Sequence, residues 1–326
     1  MALFDLSLEE LQTYRAPTSA PDDFDSFWAQ TLAETRALQT PPIFARIDSG
    51  LRLVNVDDVT FSGYGGQPIK AWYIRPAGVT EPLPCVVEFI GYGGGRGFPH
   101  SWLDWANAGY AHFVMDSRGQ GSEWRRGDTP DLHAGGSPAM PGYMTQGIHD
   151  PQQYYYRRFY ADAARAVETV RERADIDGGR IAVTGGSQGG GLSIAAAALV
   201  PDGVQVCVPD VPFLCHFRRA VTLIDTRPYN EIAGYLKTQR DRVEATFRTL
   251  DYFDGVNLAP RIKAACFFST ALMDDVCPPS TVFAAYNALT TTQPKQIAVY
   301  PFNKHEGGGD LHFVEKLKFI RGVFGY

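Results

Sequence analysis

The stretch Arg180-Ile-Ala-Val-Thr-Gly-Gly-Ser-Gln-Gly-Gly-Gly-Leu192 decides the fold. Its first half, RIAVTG, is a short apolar run that predicts a strand, and the apolar, alanine-rich segment from Leu192 to Leu199 predicts a helix. Between them Gly185-Gly186-Ser187-Gln188-Gly189 spells G-x-S-x-G, with Ser187 at its centre. A strand that runs into a helix through this pentapeptide has the form of a nucleophile elbow. The serine takes a strained backbone angle, and glycines two before and two after it let the strand and helix pack around it. Its hydroxyl then lies at a helix N-terminus, whose partial positive charge favours an oxyanion. The same pentapeptide arises in glycine-rich chains as a plain tight turn with an ordinary serine. The strand on one side and the helix on the other favour the catalytic assignment of Ser187.

Outward from the elbow, short continuous apolar runs alternate with helical patterns. PCVVEFI, AHFVMD, VQVCVPD, ACFFST and QIAVY read as further strands, with helices near 101–108, 157–174, 189–200, 279–289 and 310–324. Continuous hydrophobic strands separated by amphipathic helices predict a mostly parallel sheet covered on both faces. Upstream, Val54, Val56, Val59 and Phe61, then Ile69, Ala71 and Tyr73, follow period two around a glycine-rich turn at 63–66, which predicts an antiparallel hairpin. Before it, Phe24, Phe27, Trp28 and Leu32 share one helical face. The expectation is an α/β-hydrolase fold built as a single domain over 1–326. It has an N-terminal helical extension (1–42), a polar, Tyr-rich insertion at 123–155 and a helical insertion at 210–256.

Composition narrows the function. The chain has 326 residues, 44% of them hydrophobic and 20% charged, with a net charge of −6, so it can bury a large core and presents no basic footprint for nucleic acid or for an anionic membrane. The N-terminus carries acids and no basic stretch leading into an apolar run, so it does not read as a signal peptide, and no apolar run reaches membrane-spanning length. A cytoplasmic enzyme or binding protein is expected. Five scattered cysteines in apolar runs read as small core residues. H-E-x-x-H and C-x-x-C are absent, so no metal site and no cofactor are expected.

A serine nucleophile needs a base, and in the order Ser, acid, His the candidates after Ser187 are His216, His305 and His312. His305 follows the strand QIAVYPF in a loop before the last helix, where a base belongs; His216 and His312 read as surface or packing residues. The acid should leave the preceding strand, which ends in Ala271-Leu272-Met273-Asp274-Asp275. Asp274 is preferred, with Asp275 capping the helix after Pro278-Pro279 and Asp210 as the fallback acid. An oxyanion needs one donor after the nucleophile and one from the loop after an early strand, which gives the backbone N–H groups of Gln188 and Tyr92. The latter loop, Gly91-Tyr92-Gly93-Gly94-Gly95-Arg96-Gly97, has neither the G-K-[ST] of a P-loop nor G-x-G-x-x-G spacing, which weighs against a phosphate cradle. Phe98, Trp105 and Phe213 are available to wall an acyl pocket near Tyr92.

At these residues the sequence resembles the acetyl xylan esterase and cephalosporin C deacetylase family of carbohydrate esterases. The resemblance rests on Gly91-Tyr92-Gly93-Gly94-Gly95-Arg96-Gly97-Phe98, Arg118-Gly119-Gln120-Gly121-Ser122, Gly185-Gly186-Ser187-Gln188-Gly189-Gly190, Leu272-Met273-Asp274 with Cys277-Pro278-Pro279-Ser280, and His305-Glu306-Gly307-Gly308. It implies a deacetylase of small acetylated sugars, xylo-oligosaccharides and cephalosporin C. The implied triad is Ser187, Asp274 and His305, with Tyr92 and Gln188 at the oxyanion and Tyr92 touching substrate. It also implies a homohexamer, a trimer of dimers, with the 123–155 insertion at an interface. Two alternatives remain: a broader carboxylesterase or serine peptidase of the same fold, and a catalytically silent binding module.

Overall fold

The sequence dictates strands by two patterns, and both come together in one sheet. A computed structural model describes residues 3–17, 19–132 and 137–326; residues 133–136 of the expected 123–155 insertion lie outside the described residues. The strands are β1 (Ile43–Arg46), β2 (Val54–Ser62), β3 (Pro68–Pro76), β4 (Leu83–Phe89), β5 (Ala111–Met115), β6 (Ile176–Gly186), β7 (Val206–Asp210), β8 (Ala265–Ala271) and β9 (Lys295–Tyr300). They form a nine-stranded sheet in the order β1-β2-β3-β5-β4-β6-β7-β8-β9. β1, β2, β3 and β5 pair antiparallel, and β5 through β9 are parallel neighbours. The six strand ends of the parallel part (β4 to β9) therefore point to one edge, and every candidate site residue follows one of them.

Burial on both faces explains the continuous apolar strands. In β4, Cys85, Val87 and Phe89 face the larger core, which holds the helices Tyr155–Arg171 and Gln188–Leu199 and the Phe24, Phe27, Trp28 and Leu32 stripe. Val86 of the same strand faces the opposite core with Trp105, Tyr110 and Ile320 of the helix Gly309–Phe324. All five cysteines are free and buried. The hairpin of β2 and β3 pairs in register from Val54–Pro76 to Ser62–Pro68.

The 210–256 stretch holds the helices Phe217–Leu223, Asn230–Leu236 and Val243–Asp251. The described parts of 123–155 carry no helix or strand until Tyr155. Two features depart from the pattern in the sequence: β1 follows the helical lead-in as a short, mostly exposed edge strand, and β6 begins at Ile176, ahead of RIAVTG. Among the described residues no helix is long and apolar enough to cross a membrane.

Candidate active site

Ser187 sits where β6 turns into the helix Gln188–Leu199, with φ 56° and ψ −117°, a conformation costly for any residue with a side chain. The turn is held by the Ser187 N–H donating to Asp210 O at 2.9 Å and by its carbonyl accepting from Phe213 N–H at 3.0 Å. The flanking glycines are forced by close approach. A Cβ on Gly185 or Gly189 would lie 2.5 or 2.2 Å from the Phe89 carbonyl oxygen, so β4, β6 and the helix can meet only if both are glycine. Gly186, by contrast, has open space around it.

Beyond β8, the Asp274 side chain is wholly buried and closes its own turn: Oδ1 accepts from Val276 N–H and Cys277 N–H, both at 2.9 Å. Its Oδ2 lies 2.9 Å from His305 Nδ1, in the loop after β9. His305 and Ser187 line one cavity of about 380 Å³ together with Gly91, Tyr92, Trp124 and Arg227. Among the described residues no hydrogen bond joins the Ser187 hydroxyl to His305; in unliganded sites such bonds are often long and tighten once substrate is bound. The Cys277 thiol lies beside Ser187, and burial pushes it well above its ordinary range, so it stays neutral next to the hydroxyl.

The loop after β4 presents Tyr92 in a turn where Gly94 N–H donates to Gly91 O at 3.1 Å and Gly93 takes φ 77°. That is the i+2 conformation of a type II turn, which leaves the i+1 N–H unused. The rest of the Tyr92 unit is tied down. Its carbonyl accepts from Trp124 Nε1 at 2.7 Å, the next N–H, of Gly93, donates to Gln120 Oε1 at 2.7 Å, and its hydroxyl donates to Glu231 at 2.8 Å. Gln188 N–H is at the first position of its helix, ahead of any intrahelical acceptor. Among the described residues neither the Tyr92 nor the Gln188 backbone N–H has a protein acceptor. Tyr92 lines the cavity that holds Ser187, and Gln188 follows Ser187 directly in the chain.

Side chains outside the sequence-derived set hold these donors in place. Gln120 Nε2 donates to Gln188 Oε1 at 2.8 Å and to the Tyr155 hydroxyl at 2.9 Å, so one buried amide links the loop after β4, the loop after β5 and the helix after Ser187. Beneath it, Arg118, with no exposed surface, pairs with equally buried Asp162 at 2.6 Å. A buried charge survives only when so paired. The sequence marked Arg118-Gly119-Gln120 only as a motif; its contacts cross gaps that no local pattern spans.

Other expectations change. Asp275 does not cap the following helix but pairs on the surface with Lys304 at 2.9 Å. Pro278 and Pro279 lack N–H groups, and the first donor, Ser280 N–H, goes to Asp5 at 2.7 Å from the far end of the chain. Asp210 pairs instead with Lys316 at 2.5 Å and His312 at 3.1 Å. His216 binds the Tyr14 hydroxyl at 2.9 Å, and burial, aided by Arg219, pushes its pKa down to about 4, which suits a packing role. Of the three aromatics, only Phe213 approaches Tyr92, at 6.2 Å between rings. Phe98 is exposed and stacks on His100, while Trp105 packs on Tyr110 and Phe313 in the opposite core. Residues 123–129 fold over the Tyr92 loop, with Gly95 and Gly97 N–H donating to Arg125 and Arg126 carbonyls at 2.9 and 2.8 Å. Among the described residues no group of three His, Cys, Asp or Glu side chains is placed to hold a metal ion.

The chain is similar to known proteins over nearly its whole length. A crystal structure of acetyl xylan esterase 1 from Thermoanaerobacterium sp. JW/SL YS485 is 32% identical with a TM-score of 0.90, covering 98% of this chain and 100% of that one. An acetyl xylan esterase from Paenibacillus sp. R4 is 40% identical, with the same TM-score of 0.90 and the same coverage of 98% and 100%. The acetyl esterase Axe7A of Xylanibacter ruminicola is 26% identical over 320 residues, 92% of this chain and 67% of that protein. An acylaminoacyl peptidase from Pyrococcus horikoshii, 17% identical with a TM-score of 0.60 over 85% of this chain and 42% of its own, shares the fold alone. The acetyl xylan esterase (AXE1) family model matches residues 1–323. The chain is thus a carboxylic ester hydrolase on an α/β-hydrolase scaffold, and it belongs to the acetyl xylan esterase family.

Proposed function

We propose that this protein is a serine esterase that removes acetyl groups from small acetylated carbohydrates through an acetyl-enzyme on Ser187. It rests on one observation: a His305–Asp274 pair at 2.9 Å whose imidazole opens on the same cavity as a strained serine at a helix N-terminus. His305 takes the Ser187 proton as the oxygen attacks the acetyl carbonyl, and Asp274 holds the tautomer and balances the imidazolium. The Tyr92 and Gln188 N–H groups receive the oxyanion. His305 then protonates the leaving sugar oxygen, and water releases acetate by the same steps with the roles reversed.

The cavity of about 380 Å³ suits a short acyl group and part of one sugar ring. Acetylated xylo-oligosaccharides, sugar acetates and cephalosporin C are the substrates this reading selects. By resemblance to the family, the chain is one domain that assembles as a hexamer. The test is hydrolysis of 4-nitrophenyl acetate, butyrate and octanoate, a peptide anilide and acetylated xylose by wild type and Ser187→Ala. The expected result is acetate preference, no anilide cleavage and near-complete loss in Ser187→Ala; turnover by that variant at the wild-type rate would overturn the assignment.

A further inference from the structure

Outside the serine, histidine and aspartate, the cluster with the most unexplained chemistry surrounds a carboxylate that no local pattern in the sequence singles out. Glu231, on the helix Asn230–Leu236 of the 210–256 insertion, is 3% exposed. Burying a carboxylate is costly unless its oxygens are satisfied, and these are. The Tyr92 hydroxyl donates across both oxygens at 2.8 and 2.9 Å, Met144 N–H donates to Oε2 at 3.1 Å, and Arg227 Nε donates to Oε1 at 3.2 Å. The Tyr92 hydroxyl in turn accepts from Tyr143 N–H at 2.6 Å. The backbone is pressed onto this group: a Cβ on Gly142 would lie 2.2 Å from both carboxylate oxygens.

We propose that Glu231 is a positioning residue of the esterase site: its carboxylate fixes the Tyr92 ring, and so the backbone N–H that Tyr92 offers the oxyanion, and ties that anchor to Arg227 at the cavity wall. This rests on the oxyanion role given to Tyr92 above. The donor pattern requires a carboxylate and not an amide. Met144 N–H addresses one oxygen and Arg227 the other, so an amide placed either way sets its NH₂ against a donor. The far end of Arg227 pairs with Glu123 at 3.1 Å, and both side chains line the cavity. A ligand that engages this pair therefore bears on the same anchor that holds the oxyanion donor.

The experiment compares Glu231→Gln, Tyr92→Phe, the double variant and Ser187→Ala on 4-nitrophenyl acetate, with circular dichroism melts as the folding control. Glu231→Gln and Tyr92→Phe should each lower kcat by about ten- to a hundredfold, less than loss of a whole oxyanion donor, with KM within about threefold of wild type. The double variant should be no worse than the more impaired single one, because both changes break one link. Multiplicative losses, or a folded Glu231→Gln with wild-type kcat, overturn the proposal. If Glu231→Gln does not fold, Tyr92→Phe decides alone, since it keeps the carboxylate and removes the hydroxyl that joins Tyr92 to Glu231 and to Tyr143 N–H; wild-type kcat there refutes it. An active Ser187→Ala would sink the proposed function itself, whereas an inactive one beside a fully active Glu231→Gln sinks only the positioning role.

Discussion

Replacing Asp274 by Asn tests the acid with almost no change of shape. The carboxylate is wholly buried, and Oδ1 accepts from two backbone N–H groups, Val276 and Cys277, both at 2.9 Å. In Asp274→Asn the carbonyl oxygen must take that position, because an NH₂ there would oppose two donors at a cost of about 1–3 kcal/mol for each group left unpaired. The NH₂ is then forced to the place of Oδ2, the nearer of the two oxygens to His305 Nδ1, at 2.9 Å against 3.1 Å for Oδ1. A donor at that point makes Nδ1 an acceptor and moves the ring proton to the nitrogen that should receive the Ser187 proton. The wrong tautomer in a triad lowers kcat by about 10⁴-fold, which at about 1.36 kcal/mol per decade is roughly 5.4 kcal/mol of transition-state stabilisation. KM should change little, since the binding groups are untouched. The assay is initial-rate hydrolysis of 4-nitrophenyl acetate at neutral pH. Asp275→Asn serves as the control because it loses only an exposed pair with Lys304, with side chains 43% and 55% exposed. An Asp274→Asn enzyme within tenfold of wild type, or an Asp275→Asn enzyme equally impaired, would refute the reasoning.

Three further outcomes follow from the same contacts. Gly189→Ala brings a Cβ to 2.2 Å from the Phe89 carbonyl oxygen, whereas Gly186→Ala meets nothing within 4 Å. Urea midpoints should show a loss of about 3 kcal/mol or more for the first and about 0.5 kcal/mol or less for the second. Asp5→Ala removes the acceptor of Ser280 N–H at 2.7 Å and the partner of Arg219 at 2.8 Å, so the thermal midpoint should fall by the equivalent of about 1–2 kcal/mol while kcat stays at the wild-type value. Asp210→Asn probes pH linkage. Burial pushes the Asp210 carboxyl up, but Lys316 and His312 outweigh it and hold it below its ordinary value of 3.8. A lowered folded pKa means the stabilisation is fully present above the unfolded value and fades as pH falls through the folded one. The melting gap between wild type and Asp210→Asn should therefore be widest near neutral pH and close below about pH 4. If Asp210→Asn loses activity to the extent expected of Asp274→Asn, the choice of acid is wrong.

What the sequence discloses and what it withholds divide along the range of the interaction concerned. β4, β5, β7 and β8 are legible because a strand covered on both faces must be apolar at nearly every position, as Cys85, Val86, Val87 and Phe89 show by facing two different cores. The elbow is legible because its steric requirement is local: Gly185 and Gly189 are spaced around Ser187 by the same backbone turn that brings them against Phe89. β1 carries no such pattern, since a short exposed edge strand has no face to fill. The assignment of Asp275 as a helix cap failed for a related reason. Proximity in sequence suggested it, but two prolines removed the nearby N–H donors, and the vacant place went to Asp5, 275 residues away. Phe98 and Trp105 are close to Tyr92 in sequence, yet the loop after β4 turns them to the surface and to the opposite core. The groups that hold the Tyr92 loop and Gln188 are the least legible of all. Gln120 reaches Gln188 across 68 residues, and Glu231 reaches Tyr92 across 139. A strand-to-helix elbow can be found from its neighbours in the chain, because strain and close packing are written within five residues. The polar shell around the elbow is assembled from segments between distant strands, so it becomes visible only when the sheet brings their ends to one edge.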